Sequence, residues 1–201
     1  VLETELDRWG LWLGHVYYTL AYLAAPCILK WGTEEQKRAF LRPMLRGEVS
    51  VWQLLTEPQG GSDVATCRVT AIRDGDDYVI NNEKTMVGST HWPDYVWTLV
   101  CTDPAGPRHQ NLSWIFIPTN LPGITIQPFK MMMGIKNSVF FDNMRVPAFY
   151  LVGGENQGWK VAETHLELEH GGAGGLASNP LVGRVASFCR ENKWNGQPLI
   201  K

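Results

Sequence analysis

Residues 53–63 read Gln-Leu-Leu-Thr-Glu-Pro-Gln-Gly-Gly-Ser-Asp, a strand-like start that runs into a loop rich in turn-forming residues. Gly60 and Gly61 let the backbone come close to a ligand, because glycine has no side chain in the way. Ser62 adds a hydroxyl beside backbone N–H groups, which together can hold a phosphate or the edge of a planar cofactor. Such a stretch is more often only a turn, so the rest of the chain must decide between the two interpretations.

The loop lies within a region of short strand-like segments. After Gly47 the hydrophobic period becomes that of strands, in residues 49–55, 68–73, 78–81, 83–87, 95–102, 113–118, 124–129 and 138–144. Asp74-Gly75 is a strong hairpin signal, because this pair suits a turn whose central residues need positive φ. Many short strands at this spacing predict an antiparallel β-sandwich or barrel.

Helical patterns precede this region. Apolar residues recur at intervals of three and four, at Leu6, Trp9, Leu13, Val16 and Leu20, which predicts a helix over residues 1–25. Pro26 and Gly32 are expected to mark its end. Residues 33–36 fit a capping box, in which the Thr33 hydroxyl and the Gln36 amide each bond the other's backbone N–H. The helix that follows runs to about Arg46, with its inward side chains at Phe40, Leu41, Met44 and Leu45.

The helical pattern returns at Asn156 and continues to His170, where the glycines of residues 171–175 weaken it. A last helix is predicted to begin at Asn179-Pro180 and to end before Asn195-Gly196. The predicted fold class is α+β, with N-terminal helices, a central antiparallel β-sandwich or barrel and C-terminal helices. We divide it into a helical segment over residues 1–47, a β domain over 48–152 and the start of a helical domain over 153–201.

Composition limits the classes of function. The net charge is −2, so nothing favours nucleic acid as a partner. Charged residues make up only 19% of the chain, and there are 9 Trp, which indicates surfaces covered in a homo- or hetero-oligomer. The 4 cysteines form no Cys-x-x-Cys pair, which favours a reducing intracellular compartment, although spacing alone leaves disulfides open.

One uncharged run invites a membrane interpretation. No charge lies between Arg8 and Lys30, a length near the roughly 20 residues that a transmembrane helix needs. The apolar stripe is one-sided, however, and Gly14, His15 and Thr19 dilute it. We therefore predict a buried helix and no membrane span.

Motifs on both sides of the loop carry a family resemblance. Gly32-Thr33-Glu34-Glu35-Gln36-Lys37 and Gly47-Glu48 precede Thr56-Glu57-Pro58 and Gly61-Ser62-Asp63. The motifs that follow are Asp74 to Asn81, Glu83-Lys84, Leu121-Pro122-Gly123-Ile124, Phe141 to Pro147, Gly153 to Trp159 and Asn195 to Ile200. In this order and at these spacings, the chain resembles the acyl-CoA dehydrogenase family along nearly its whole length.

The resemblance implies a helical, a β and a second helical domain, with FAD held between the last two. In that family a Glu removes the α-proton of an acyl-CoA thioester, the β-hydride goes to flavin N5, and electrons leave through an electron-transfer flavoprotein. The implied role is in fatty-acid β-oxidation, in the cytoplasm or in the mitochondrial matrix of a eukaryote. The implied FAD contacts on this strand and loop are Gln53, Leu55, Thr56, Gly61 and Ser62, and Ser62 would also meet the CoA arm of the substrate.

The second flavin-contacting strand departs from the family pattern. The family commonly has a Trp there, followed by Thr or Ser, whereas here Met86, Val87 and Gly88 stand at the matching positions. A thioether can still pack on a flavin face, so we keep Met86, Val87, Gly88 and Ser89 as cofactor-binding residues. The usual hydroxyl donor to flavin N5 is missing unless Ser89 or a backbone N–H replaces it.

Glu169 is the candidate catalytic base. Trp159, Ala162, Leu166 and Glu169 are spaced by three, four and three, so one helix face carries them. A carboxylate on an apolar stripe is desolvated, which makes it a better base near neutral pH. Some members of the family place the catalytic Glu at this position and most place it in a later helix, so a structural carboxylate is the alternative. Glu169 and His170, which replaces the family's usual Arg, are predicted to contact substrate.

Family chains are longer than this one, so we expect an FAD-dependent acyl-CoA dehydrogenase that is incomplete. Two alternatives stay open: a non-catalytic flavin- or CoA-binding subunit, which the residues Met86–Gly88 favour, and a related flavin oxidase or monooxygenase. No metal site is predicted, because His165 and His170 are five residues apart and not the four that a helical zinc site needs.

Overall fold

A computed structural model describes residues 8, 18–88, 91–132, 134–170 and 180–198 of the 201-residue chain. These residues form two compact units, one that ends at His165 and one that begins at Leu166. No helix among them is long and apolar enough to cross a membrane. The predicted division at residues 47 and 152 stays a prediction. The described part has the α+β architecture that the sequence predicts.

The first described helix runs through Pro26, so the predicted end at this residue is wrong. A π-helical stretch, Tyr18–Ala24, continues into α1, Ala25–Trp31. Pro26 lies in the first turn of α1, and the wider turns before it accommodate a residue that has no N–H to donate. The helix ends at Gly32, as predicted. Of the predicted residues 1–17, all but Arg8 lie outside the described part.

The predicted capping box opens α2, Glu34–Leu45. Gln36 N donates to Thr33 Oγ1 at 3.2 Å, and Thr33 N donates to Gln36 Oε1 at 2.9 Å. The same amide donates from Nε2 to the carbonyls of Phe149 and Leu151, at 2.6 and 2.7 Å. One buried side chain thus fixes the start of α2 and joins it to the segment after β7.

Replacing Gln36 by Ala is expected to lower the free energy of unfolding by about 2 kcal/mol, because it removes the cap and leaves two carbonyls without this donor. Chemical denaturation followed by circular dichroism measures the change. Glu35→Ala, at an exposed neighbouring position, is the control and should change the free energy by less than about 0.5 kcal/mol. Equal effects of the two substitutions would contradict the prediction.

Three of the four side chains that were predicted to face inward on α2 do so. Phe40 and Met44 are buried and Leu41 is half-buried, but Leu45 is 71% exposed. Leu45 follows Met44 directly, and one residue turns a side chain by about 100° around a helix. The prediction of an inward Leu45 is therefore wrong.

Eight strands form one sheet in the order β6-β7-β3-β2-β4-β5-β8, with β1 beside β4. The strands are β1 Val51–Leu54, β2 Thr70–Asp74, β3 Asp77–Val87, β4 Tyr95–Cys101, β5 Leu112–Pro118, β6 Ile124–Met131, β7 Gly134–Pro147 and β8 Leu151–Val152. The predicted strands all correspond to these, with ends that differ by a few residues.

The sheet is not antiparallel throughout, which corrects the sequence-based prediction. Val51 to Leu54 of β1 pair in parallel with β4, and Thr70 of β2 pairs in parallel with Cys101. The long connection between β1 and β4 explains this, since it carries the chain back to the end of the sheet from which β1 starts. A hairpin pattern in a sequence does not show that the chain later comes back to pair in parallel with an earlier strand.

The segments predicted on either side of Asn82 form one strand, β3. Asn82 has φ of 85°, and the register with β7 shifts between Ile80 and Asn82, so an irregularity in a continuous strand reads as a break in the pattern. The predicted hairpin between β2 and β3 is present. Asp74 pairs with Asp77, and Gly75 in the turn has φ of 64°.

The sheet buries two apolar clusters. The inner cluster draws side chains from strands far apart in the sheet order, so the sheet curls around it; its members include Trp52, Ile80, Val87, Val100, Ile117 and Val139. The helix-side cluster packs the helices on β4 and β5, with members that include Ile28, Phe40, Trp97, Trp114 and Val161. β4 and β5 lie between the two clusters, which is why both are buried on both faces.

Helix α3, Gly158–Glu169, follows the predicted start near Asn156. His165 lies buried on it and accepts a hydrogen bond at Nδ1 from Trp97 Nε1, 3.1 Å away. Burial lowers the pKa of His165 to about 4, so its ring is neutral near pH 7 and serves as an acceptor inside the helix-side cluster.

The second unit holds α4, Pro180–Glu191, which begins at Pro180 as predicted. A short hairpin follows it, formed by β9 Lys193–Trp194 and β10 Gln197–Pro198. Asn195 and Gly196 form its turn, with φ of 50° and 80°. This Asn-Gly pair, predicted above to follow the helix end and to belong to a family motif, is also a strong hairpin signal.

Candidate functional site

The loop after β1 closes into a tight turn. Glu57 N donates to Gly60 O at 3.1 Å and Gly60 N donates to Glu57 O at 3.0 Å, which places Pro58 and Gln59 at the exposed tip. The chain then passes through Gly61 and Ser62 before a short helical turn. The predicted ligand-binding loop is thus a turn closed by two backbone hydrogen bonds.

A buried carboxylate anchors this turn. Lys84 Nζ donates to Glu57 Oε1 at 2.7 Å, and the two side chains are 1% and 3% exposed. Four more donors face the same carboxylate: Arg68 N at 2.7 Å, Val69 N at 3.1 Å, Gln59 Nε2 at 2.6 Å and Cys67 Sγ at 3.1 Å. Through Lys84, this network joins the turn that contains Glu57 to β3.

Electrostatics keep this network ionised at its centre. Burial alone would raise the pKa of Glu57, but the charge and hydrogen bond of Lys84, together with Gln59 and Arg68 N, lower it to about 2. Burial raises the pKa of the Cys67 thiol to about 12, so the thiol is a neutral donor near pH 7. Cys67 and the three other cysteines are unpaired.

β3 ends in a bulge that turns Met86 outward. The register with β7 shifts between Lys84 and Val87, and Met86 has φ of 59°, a region that residues other than glycine rarely adopt. The Met86 side chain is 47% exposed, whereas Val87 is buried in the inner cluster. The bulge therefore presents a thioether on the surface at this position.

A backbone hydrogen bond brings the two predicted cofactor segments together. Thr85 N donates to Thr56 O at 2.8 Å. A Cβ added to Gly61 would lie 2.8 Å from Thr56 Oγ1, so the Thr56 side chain lies directly against this glycine. The half-buried Thr56 hydroxyl has no hydrogen-bond partner among the residues that the structure describes. Thr56, Gly61 and Met86 thus belong to one patch.

The other predicted residues divide into three groups. Gln53 and Leu55 are half-buried on either side of Leu54, and Ser62 is exposed on the turn. Ser89 lies outside the described residues. Glu169 and His170 belong to the second unit, in which Glu169 is half-buried and His170 is exposed.

A groove of about 570 Å³ lies between the segments around His109 and Trp159 and is lined mainly by polar side chains. The His109 ring stacks on Trp159 in this groove, with 4.1 Å between ring centroids, and Lys160 lies along its wall. Arg108 Nη2 donates to both carboxylate oxygens of Asp63, at 2.6 and 2.7 Å, which ties the groove to the loop. No sequence pattern predicts this groove, because its two sides are about fifty residues apart and share no motif.

The Glu57–Lys84 pair is also absent from the site predicted from the sequence. Lys84 follows the buried residues Tyr78 and Ile80 of β3 by an even number of positions, so its side chain is expected on the same buried face of the strand. A lysine at an inward-facing strand position needs a buried acidic partner, and this phase was the signal that could have revealed the pair.

Comparison with known proteins places these features in a family. Residues 53–144 match the acyl-CoA dehydrogenase middle domain, and residues 1–48 match the acyl-CoA dehydrogenase N-terminal domain. Acyl-CoA dehydrogenase FadE29 of Mycobacterium tuberculosis is 37% identical over 176 residues, which cover 85% of this chain and 45% of that protein.

Solved structures agree. A structure described as the Tcur3481-Tcur3483 steroid ACAD superposes with a TM-score of 0.77 at 32% identity, over 94% of this chain and 49% of the other. The ChsE4-ChsE5 complex from Mycobacterium tuberculosis gives a TM-score of 0.75 at 32% identity, over 98% and 51%. The chain thus spans about half the length of the proteins it matches. With its motifs, its curled sheet and these relatives taken together, this chain belongs to the acyl-CoA dehydrogenase family.

Proposed function

We propose that this chain forms the flavin-facing part of an FAD-dependent acyl-CoA dehydrogenase, which oxidises the α,β bond of an acyl-CoA thioester. The observation that carries the proposal is the patch made by Thr56, Gly61 and Met86. Two segments far apart in sequence meet there through the Thr85–Thr56 hydrogen bond.

The residues of this patch fit a flavin. The Thr56 hydroxyl is half-buried and has no partner among the described residues, so it can donate to the polar edge of a flat ring. The Met86 thioether is exposed and can pack on a ring face. Gly60 has nothing within 4 Å of an added Cβ, so a ligand can approach the backbone there.

The roles of the chain's own groups follow from this arrangement. Bound FAD would supply the hydride acceptor. Thr56 would orient the ring through its hydroxyl, and Ser62 with nearby N–H groups would hold the pyrophosphate or the CoA arm. The Glu169 carboxylate is proposed to take the α-proton, with His170 beside the substrate, as the family resemblance implies.

The groove at His109 is proposed to take the nucleotide end of CoA. The ring pair of His109 and Trp159 offers an aromatic face for a base, and the Lys160 ammonium suits a phosphate. The Asp63–Arg108 bond keeps this groove next to Ser62. The thioester end of the acyl-CoA would then extend along the loop that contains Ser62.

Replacing Thr56 by Val is expected to weaken FAD binding about tenfold, since one hydrogen bond of about 1.4 kcal/mol is lost without a change in shape. Titration of the apoprotein with FAD, followed by flavin fluorescence, gives the dissociation constant. Thr125→Val, on the exposed face of β6, is the control and should leave the constant unchanged. Anaerobic bleaching of bound flavin by acyl-CoA then tests the dehydrogenation itself.

The absence of FAD binding by the purified wild-type protein would overturn the proposed function. A subunit without its own flavin is then the second candidate, which the exposed Met86 and the missing side chain at Gly88 favour. The structure titled as a complex of ChsE4 and ChsE5 is consistent with pairing of unlike chains. Measuring the size of the purified protein alone and mixed with a full-length relative would distinguish a subunit that pairs with another chain from an enzyme that binds its own flavin.

The substrate and the electron acceptor are also proposals. The relative described as a steroid ACAD supports a bulky acyl-CoA rather than a short linear one. Electron transfer to an electron-transfer flavoprotein is proposed from the family resemblance, with a cytoplasmic location and an oligomeric enzyme. Rapid return of flavin colour on exposure to oxygen after bleaching would favour an oxidase instead.

A further inference from the structure

We propose that the Lys136 ammonium replaces the hydroxyl missing at Gly88 and lies against bound flavin as a positively charged hydrogen-bond donor. This inference rests on the proposed function, because it concerns the same cofactor patch. On this inference, the residues Met86–Gly88 differ from the family pattern because an ammonium replaces a hydroxyl as the hydrogen-bond donor, and no donor is lost.

The space beside Gly88 is filled by Lys136. A Cβ added to Gly88 would lie 2.5 Å from Lys136 Nζ and 3.6 Å from its Cδ and Cε. The ammonium therefore occupies the position from which a side chain at residue 88 would project. At the positions of Val87 and Gly88 the family resemblance implies a Thr or Ser hydroxyl directed toward flavin N5, and of these two residues only Gly88 has no side chain.

Strand pairing fixes Lys136 at this place. Asn137 pairs with Val87, and the buried Asn137 amide donates from Nδ2 to Val87 O at 3.2 Å. Lys136 itself pairs with Phe129 of β6. The backbone on both sides of the Lys136 side chain is therefore held, and only the side chain can move.

Lys136 has no acidic partner in the described part of the chain. None of the ion pairs there includes it. Its side chain is half-buried, and the hydroxyls of Thr85 and Ser138, which lie on the same two paired strands, bond each other at 3.0 Å. A half-buried cation without a counter-ion is a good donor to a ligand that gains negative charge.

The chemical consequence is specific. A neutral hydroxyl donor stabilises the oxidised and reduced ring by similar amounts, whereas a cation stabilises the reduced, more negative ring more strongly. Lys136 should therefore raise the reduction potential of bound FAD and strengthen the adduct that oxidised flavin forms with sulfite, which also carries negative charge on the ring.

The test compares Lys136→Met with Lys130→Met, a control at an exposed position on β6. FAD affinity, sulfite affinity and the two-electron reduction potential are measured for each. Lys136→Met should weaken sulfite binding about tenfold and lower the potential by the equivalent of tenfold, about 30 mV. Circular dichroism melting of the apoproteins checks that both variants fold.

A second variant separates donor from charge. Lys136→Met combined with Gly88→Thr supplies a neutral hydroxyl donor, so FAD affinity should equal that of the wild type while the potential stays low. FAD binding by every variant with the same potential and sulfite affinity for Lys136→Met and Lys130→Met would overturn the inference and leave the proposed function intact. No FAD binding by the wild-type protein would overturn both.

Discussion

Lys84→Met is expected to lower the free energy of unfolding by about 3–5 kcal/mol. The substitution keeps the length of the side chain but removes its charge, so the Glu57 carboxylate stays buried without a counter-ion. Both side chains are almost fully buried, at 1% and 3% exposure, so water cannot replace the lysine without opening the loop. Urea denaturation monitored by circular dichroism measures the loss.

Two controls make the cause visible. Arg46→Met breaks a pair with Glu48 in which both side chains are more than half exposed, and it should cost less than about 1 kcal/mol. Combining Lys84→Met with Glu57→Gln removes both charges and should recover part of the loss. A cost of Lys84→Met no larger than that of Arg46→Met would show that the buried pair contributes nothing.

The same pair gives this effect a pH dependence. The pKa of Glu57 is lowered from 4.5 to about 2 in the folded protein, so between these values the unfolded chain binds the extra proton. The stability that the pair contributes is fully present above pH 4.5 and is lost as pH falls toward 2. The difference between wild type and Lys84→Met should therefore shrink across this window.

Gly158→Ala is the second large effect, with an expected loss of about 3 kcal/mol, at the upper end of the range for overpacking. An added Cβ at this first residue of α3 would lie 2.6 Å from both Cα and C of Ser113 and 2.8 Å from Leu112 O. These are backbone atoms of β5, which is buried on both faces, so neither side can move aside cheaply. Alanine's better helix propensity offsets less than about 1 kcal/mol of this.

Thermal and urea denaturation of Gly158→Ala measure the loss. Gly60→Ala is the matched control, because an added Cβ there has nothing within 4 Å, and it should change the free energy by less than about 0.5 kcal/mol. Indistinguishable unfolding of the two variants would mean that α3 can shift away from β5 without cost.

Local patterns in the sequence predicted much of this fold. The capping box at Thr33–Gln36 and the hairpin at Asp74–Gly75 are confirmed because each depends on a few neighbouring residues. Leu45 failed because a run of apolar residues does not show where the buried stripe ends. The parallel pairing of β1 with β4 failed for another reason, since it depends on the path of the whole intervening chain.

The site shows the same division. The motif from Thr56 to Ser62 gave the loop, but the bulge that exposes Met86 depends on register with β7, which no local pattern contains. The sequence does not predict a role for Lys136, because the predicted strand begins two residues later, at 138, and the Lys136 ammonium lies beside Gly88 only through strand pairing. The sequence thus identifies several residues of the site, whereas the contacts between residues from different strands are seen only in the folded structure.

The parallel placement of β1 beside β4 sets an order of events during synthesis. Thr98 Oγ1 donates to Leu54 O across 44 residues of sequence, so the partner of β1 leaves the ribosome long after β1 does. Closing so long a segment costs entropy before any contact forms, which delays such pairings. A nascent chain halted before β4 emerges therefore lacks the pairing that holds β1 and the loop after it in place.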